Sequence, residues 1–340
     1  DALRLDAIHE IKDDAAAAAT PQRHVLAELS DAVAALSIEL GRPLSLVAEA
    51  DLNDVGVITP TSEEPPAKVP SLGMTAQWAD DVHHALHVRL TGEDQGYYGD
   101  FAEVGAWAKA YGRAFLHNGT WSTFRERNWG APVPEDTDPR RFVVFGSDHD
   151  QVGNRAVGDR PSVILDDAAL AATAALVLLS PYTPMLFMGE EWGTRTPFQF
   201  FTDHEEDDLA RSVSEGRVRE FAGFGWDADE IPDPQAAATV EASRLRWSEL
   251  DEAEHARVLA WYQALTTLRR NLDWSQRTAW PQVDEIDDVL MVTYDDIVVA
   301  ANLSGQERPA PALTTVLLSW DPFDAATPSL SPGQTLIARR

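Results

Sequence analysis

The chain has 340 residues, 44% of them apolar, which is enough to build a core and excludes wholesale disorder. Fifty-six acidic residues against 27 basic ones leave a net charge of -29. A surface this negative repels nucleic-acid phosphates and anionic lipid and favours a neutral or cationic substrate, while the lack of any cysteine excludes disulfide scaffolds, thiolate metal sites and cysteine nucleophiles.

The first element is an alternating run from Ala2 to Asp6, a short strand ending on a carboxylate. Val25, Leu29, Val33, Leu36 and Leu40 then recur at helical spacing, and Gly41 stands where a helix stops. Leu44 to Ala48 is a second strand, ending at Glu49. Strand, helix, strand implies parallel pairing. The pattern continues with a short strand over Met74–Trp78, a helix over Phe101–Phe115 and an apolar strand, Phe142–Phe145, followed by Ser147-Asp-His-Asp150. A buried helix over Asp167–Leu179, capped by Asp166 or Asp167, precedes a strand over Pro184–Met188 that runs into Gly189-Glu190-Glu191. Five strands with intervening helices thus fall in the first 200 residues. The stretch from Ala168 to Met188 is broken by Ser180-Pro181 and Pro184 and reads as too interrupted to cross a bilayer.

Glu205 to Ile231 is charge-rich and reads as irregular. A helix follows over Ala253–Arg270, with Val258, Tyr262, Leu265 and Leu268 on one face. Beyond Trp274 the pattern becomes a hairpin, Val289–Tyr294 and Ile297–Ala301 around Asp295-Asp296, and then short strands to Arg340. A domain boundary is placed near residue 277, giving a part α/β domain over 1–276, with an irregular insertion near 205–245, and a small β-domain over 277–340. The alanines at 15–19 are the one low-complexity tract.

Asp6, Glu49 and Asp150 each follow an apolar strand. In a (β/α)8 barrel the strand ends converge on one face, where active sites are built. Acids placed together there titrate unequally, and one stays protonated while another is ionised. Glycoside hydrolysis needs that pairing of an attacking carboxylate with a protonating carboxylic acid. A single acid after a strand is more often a helix cap or a solvated loop residue, and it is the neighbours that set these three apart. Arg4 lies two residues before Asp6 and points to the same side of the strand, where a guanidinium keeps a carboxylate ionised. His149 precedes Asp150, and His9 and Arg155 flank the same loops. Trp78 either stacks on a glucose ring beside Asp80 and Asp81 or packs in the core. His83 and His84 read as a solvated helix start, since their spacing matches no standard metal motif. Tyr97 and Tyr98 either line a subsite or anchor a loop, Glu190 and Glu191 read as loop-supporting or helix-start acids, and Arg217 reads as a local ion pair with Glu220.

These residues carry a resemblance. Leu3-Arg-Leu-Asp-Ala7, Val47-Ala-Glu49 and His149-Asp150 resemble the second, third and fourth signature regions of glycoside hydrolase family thirteen, the α-amylase superfamily. Gln77–His84, Asp148–Arg155, Met185–Glu191, Glu215–Phe221, Phe224-Gly-Trp226 and Pro232-Asp-Pro234 are similar to the maltooligosyltrehalose trehalohydrolase branch of that superfamily. The resemblance implies Asp6 as nucleophile, Glu49 as general acid/base and Asp150 as a third carboxylate holding sugar hydroxyls. It implies Arg4 on the nucleophile and His149 on a hydroxyl of the sugar, and from their places in the same loops His9, Trp78, Asp80, Asp81, Gln151 and Arg155 are expected as further substrate contacts. It also implies a cytoplasmic enzyme that needs no metal or organic cofactor, binds no nucleic acid or membrane, and acts on maltooligosyltrehalose or an α-1,4-glucan to release trehalose. Asp148 departs from the family's usual Asn. The first signature region is not found before Asp1, so the expected fold is a partial (β/α)8 barrel, about the last five strands, followed by a small antiparallel β-domain, with little activity on its own. A 1,4-α-glucan branching enzyme and an inactive glycan-binding fragment stand as alternative readings.

Overall fold

A computed structural model describes all residues except 14–22, 67, 223–226 and 228–229. The alanine tract at 15–19 and the Phe224-Gly-Trp226 motif lie outside the described residues. Strands β1 (Ala2–Leu5), β2 (Ser45–Ala48) and β3 (Ala76–Trp78) are joined through helix α1 (Val25–Leu40) and the loops after it. Helices α2 (Asp80–Thr91) and α3 (Ala106–Arg113) and a hairpin, β4 (Thr120–Ser122) with β5 (Arg127–Trp129), lead to β6 (Phe142–Phe145). Two short helices, α4 (His149–Gly153) and α5 (Pro161–Ile164), precede α6 (Asp167–Leu178) and β7 (Thr183–Met185). Then come α7 (Asp207–Ala222), α8 (Ala237–Ala242) and α9 (Ala253–Asn271). The last part holds β8 (Gln282–Ile286), β9 (Val289–Tyr294), β10 (Ile297–Asn302), β11 (Arg308–Pro309), β12 (Thr315–Ser319), β13 (Ser329–Leu330) and β14 (Thr335–Arg339).

The five strands expected in the first 200 residues form one sheet in the order β1-β2-β3-β6-β7, parallel throughout. This is five strands of the expected barrel, open at β1 and at β7. Parallel strands are buried on both faces, and here each face has its own apolar set. Leu46, Ala48, Phe142 and Val144 face the helices. Ala76, Trp78, Val143 and Phe145 pack on the inner face with Val47 and Met185. The second sheet is antiparallel, in the order β12-β14-β10-β9-β8.

One hydrophobic core joins the two sheets. Leu290, Val292, Tyr294, Ile297 and Ile337 belong to the same cluster as Tyr111, Leu176, Trp261 and Leu265. Several of its buried hydroxyls and indoles are paired, as burial favours, although Trp107 Nε1 is buried without a partner. Tyr111 Oη donates to the Leu176 carbonyl at 2.6 Å, Tyr294 Oη to Tyr111 Oη at 3.1 Å and Trp274 Nε1 to the Ser180 carbonyl at 2.7 Å. Arg269 takes the last carbonyl of α6, Leu178, and those of Ser180 and Tyr182 in the loop that follows.

The sequence reading needs correction at several elements. Residues 207–222 form α7, although 205–231 reads as irregular. The helix expected from Phe101 begins only at Ala106, because Gly105 sits at φ 84° and breaks it. The last parallel strand ends at Met185, and Leu186 and Met188 are exposed. The helix start read at His83 and His84 belongs to α2, which begins at Asp80, and the β4–β5 hairpin and β8 are additions to the sequence reading. Among the described residues no helix is long and apolar enough to cross a membrane.

Candidate active site

Because all five strands run the same way, Asp6, Glu49, Asp80 and the 146–150 loop leave the sheet at one edge. Leu5 is paired with Ala48, so Asp6 and Glu49 follow from adjacent, matched positions. Beyond the strands the backbone stays tied. The Glu49 amide donates to the Leu5 carbonyl at 2.9 Å and the Ile8 amide to the Glu49 carbonyl at 3.1 Å. The Glu49 carboxylate accepts from the Ala7 amide at 2.5 Å, which Ala7 presents by adopting φ 40°. Arg4 joins both acids. Its Nη1 is ion-paired with Asp6, and its Nη2 lies 3.9 Å from Glu49. Glu49 is enclosed, with 16% of its side chain exposed, whereas Asp6 is 76% exposed.

The third acid enters from β6. Asp148 caps α4 by accepting from the Gln151 amide at 2.7 Å, and this sets His149 and Asp150 in the first turn. His149 Nε2 lies 3.4 Å from Asp150, and the His149 ring stands edge-on to Trp78 at 6.3 Å. Burial foremost raises the Asp148 carboxyl to about 6.

Beside these groups lies a cleft of about 230 Å³. Asp80, Asp81, His84, Tyr97, Asp150 and Gln151 are among its lining residues. Asp6 and Glu49 are not, although Ala50 and Asp51, which follow Glu49, are. Asp80 and Asp81 have different parts. Asp80 Oδ1 is buried with no hydrogen-bond partner, and burial, with Asp148 and Glu49 nearby, pushes its carboxyl well above the usual range. Asp81 accepts from Asn53 Nδ2 at 2.8 Å and from the Leu116 and His117 amides at 2.7 and 3.2 Å, so it fixes the loop leading to the β4–β5 hairpin.

Other expected contacts are spent within the protein. Arg155 pairs with Glu93 at 2.8 and 3.1 Å and with Asp159 at 2.8 Å, and it is not among the cleft residues. The Arg155 hydrogen bonds are the foremost cause drawing Glu93 down to about 2. His9 Nδ1 accepts from the Asp51 amide at 3.3 Å. Gln151 Oε1 accepts from Tyr97 and Tyr98 at 3.0 and 3.3 Å, so both tyrosines hold a loop, and Tyr97 also lines the cleft. His83 and His84 are not a solvated helix start. His83 Nδ1 meets the Gly146 carbonyl at 2.9 Å, and His84 packs between Tyr97 and Phe101 at 5.0 and 5.1 Å. Arg217 turns inward rather than toward Glu220, donating to the Gly153 and Arg155 carbonyls beneath the α4 loop.

Sequence reasoning missed Arg125 and Phe124. Both line the cleft from the unexpected hairpin, and Arg125 is ion-paired with Asp51. It also left the role of Glu190 open. Glu190 accepts from Ser147 Oγ at 3.1 Å, the Phe187 amide at 3.0 Å and Tyr262 Oη at 3.3 Å, joining the ends of β6 and β7 to α9. Burial foremost raises it to about 7. An acid held protonated by the fold contributes stability that is lost as pH rises from its unfolded value through the folded one. Glu190→Gln should therefore raise Tm by a few degrees at pH 8 and leave it unchanged at pH 5, as followed by thermal melts at the two pH values.

No family model matches the chain. It is 48% identical over 311 residues to the malto-oligosyltrehalose trehalohydrolase of Arthrobacter ramosus, covering 92% of this chain and 51% of that protein. It is 44% identical to the protein of the same name from Mycobacterium tuberculosis, covering 94% and 54%, and 38% identical to that of Saccharolobus solfataricus, covering 79% and 43%. The chain spans about half the length of the curated relatives it matches. A solved structure from Salmonella typhimurium, described as a candidate alpha amylase, superposes with a TM-score of 0.85 at 33% identity, over 99% of this chain and 57% of that one. Cyclic α-maltosyl-(1→6)-maltose hydrolase from Arthrobacter globiformis shares the fold, with a TM-score of 0.54 at 14% identity over 100% and 56%.

Proposed function

The chain belongs to the malto-oligosyltrehalose trehalohydrolase family over the half-length it shares with those relatives, and on that premise we propose that it carries the acids of a retaining α-glycosidase. The bond cleaved is the α-1,4 linkage next to the terminal trehalose unit of maltooligosyltrehalose. The observation that supports this best is the placement of Asp6 and Glu49 at matched strand ends under one arginine, with the Glu49 carboxyl seated on the Ala7 amide.

Asp6 attacks the anomeric carbon while Glu49 gives its proton to the departing trehalose oxygen. The covalent glycosyl intermediate is then hydrolysed by a water from which Glu49 takes a proton, restoring both groups. Asp150 and His149 hold sugar hydroxyls in the distorted ring of the transition state. A neutral glucan is not steered by charge, so the -29 net charge is compatible with this substrate without selecting it. The same reading places the protein in the cytoplasm and divides the chain near residue 277.

The test is to incubate the native polypeptide that carries this chain with a maltooligosyltrehalose and measure the sugars formed. Free trehalose in step with a shortened maltooligosaccharide is expected. New α-1,6 branches without trehalose, or binding without any turnover, would overturn the proposal.

A further inference from the structure

Trp78 ends β3, two strands away from Arg4, yet the two side chains meet. Arg4, Val47 and Ala76 are in register across β1, β2 and β3, and Trp78, two residues beyond Ala76, is on the same face. The Arg4 guanidinium carbon lies 4.4 Å from the centroid of the indole. Phe145 meets that indole edge-on at 5.3 Å and His149 at 6.3 Å. Only 6% of Trp78 is exposed. A glucose ring needs an open aromatic face to stack on, and Trp78 offers none.

Arg4 has the complementary deficit. Its Nε and Nη2 are buried without hydrogen-bond partners. The acids meet the charge of the guanidinium, but burying its Nε and Nη2 without hydrogen bonds is costly, and an indole face offsets part of that cost. The contact also fixes where the guanidinium sits relative to Asp6 and Glu49.

We propose that Trp78 is a positioning residue, a platform that holds Arg4 in the geometry that joins the two acids, and not a sugar-stacking surface. This rests on the glycosidase reading above. Arg4 reaches over β2 to lie on the indole, and the indole in turn is wedged against the ring of His149, next to Asp150. One side chain thereby couples the β1–β2 acids to the β6 acid.

The test is a steady-state comparison in the native polypeptide that carries this chain. Trp78→Leu keeps much of the bulk and removes the ring. It should lower kcat by about 10- to 100-fold, the scale of a small misplacement of reacting groups, with KM changed less than about 2-fold. Trp78→Phe, which keeps a ring face, should recover most of that loss. A raised KM at unchanged kcat would overturn the proposal in favour of sugar stacking, and a Phe variant no better than Leu would reduce the role to volume. If Trp78→Leu does not fold, Trp78→Phe and Trp78→Tyr carry the same test, because both rings hold a cation less well than indole. Their kcat must then fall below the native value at constant KM, and an unchanged kcat overturns the claim.

A second measurement does not use activity. Urea midpoints of Arg4→Met, Trp78→Leu and the double variant should be non-additive, and additivity overturns the platform. A native protein that released no trehalose but showed this coupling would refute the glycosidase reading and leave the Arg4–Trp78 contact standing.

Discussion

Glu49→Gln is expected to lower the kcat for trehalose release by about 10²–10⁴-fold, the usual worth of a placed general acid/base. The substitution keeps the shape of the side chain. An amide oxygen still accepts from the Ala7 amide, the 2.5 Å bond that seats the carboxyl, so the β1–β2 junction survives and only the transferable proton is lost. That gives the prediction a second edge. An aryl α-glucoside whose phenol leaves without protonation bypasses the first demand on Glu49, and its glycosylation step should be slowed far less than that of the natural substrate. Parallel steady-state and burst measurements on the two substrates check this. An equal loss on both, or none on either, would remove Glu49 from the role of proton donor.

Acidification should unfold the protein steeply between about pH 4.5 and 3. Burial foremost drives the His84 imidazole down to about 3 and pushes His83 well down in the same direction. Both are therefore neutral in the fold, while an unfolded histidine titrates near 6.5. Their contribution is complete above that value and is lost as pH falls through the window toward 3. At about 1.4 kcal/mol per unit, His84 alone forfeits at most about 5 kcal/mol, against a typical total of about 5–15 kcal/mol. The raised acids oppose this at first. Asp80, Asp148 and Glu190 favour the protonated form in the fold, so they gain stability as pH falls toward the ordinary carboxyl range. Below that range both states are protonated and the offset ends. The pairing of Glu93, held near 2, then begins to fail as well. The same α2 face carries His87, paired with Glu93, and the charges nearest His84 include Arg125 and His117. His84→Phe keeps the contacts to Tyr97 and Phe101 and removes the proton site. It should move the acid midpoint, followed by tryptophan fluorescence, to lower pH by about half a unit or more. An unchanged midpoint would show that the acid transition has another origin.

Much of this architecture can be read from residues alone, and the reason is local. Phe142-Val-Val-Phe145 is apolar at every position, which fits only a strand buried on both faces. An acid directly after a short, mostly apolar strand, as at Asp6 and Glu49, falls at the strand end. The elements that escaped have weaker local patterns. In α7, Leu209, Val213, Val218 and Phe221 are spread among charges and a glycine, too thin a stripe to show a period. The β4–β5 hairpin is three residues a side, with one tryptophan among polar residues in each strand, and so short a pattern shows no period. In the site, sequence placed Asp80 and Asp81 together. They part because Asp81 faces three donors from Asn53, Leu116 and His117, partners 28 or more residues away that no local spacing reveals. Arg155 is similar. Its carboxylate partner Glu93 lies 62 residues earlier.

The shared core has a consequence for how the molecule is made. Synthesis runs in one direction, and Tyr111 and Leu176 emerge more than a hundred residues before Tyr294, Ile297 and Ile337, which close the same cluster. Until residues 289–339 have left the ribosome, the outer layer of α3, α6 and α9 has an apolar face that nothing yet covers. The acid-bearing strands therefore leave the ribosome before the sheet that completes their shared core, and that interval is when a nascent chain most needs a chaperone.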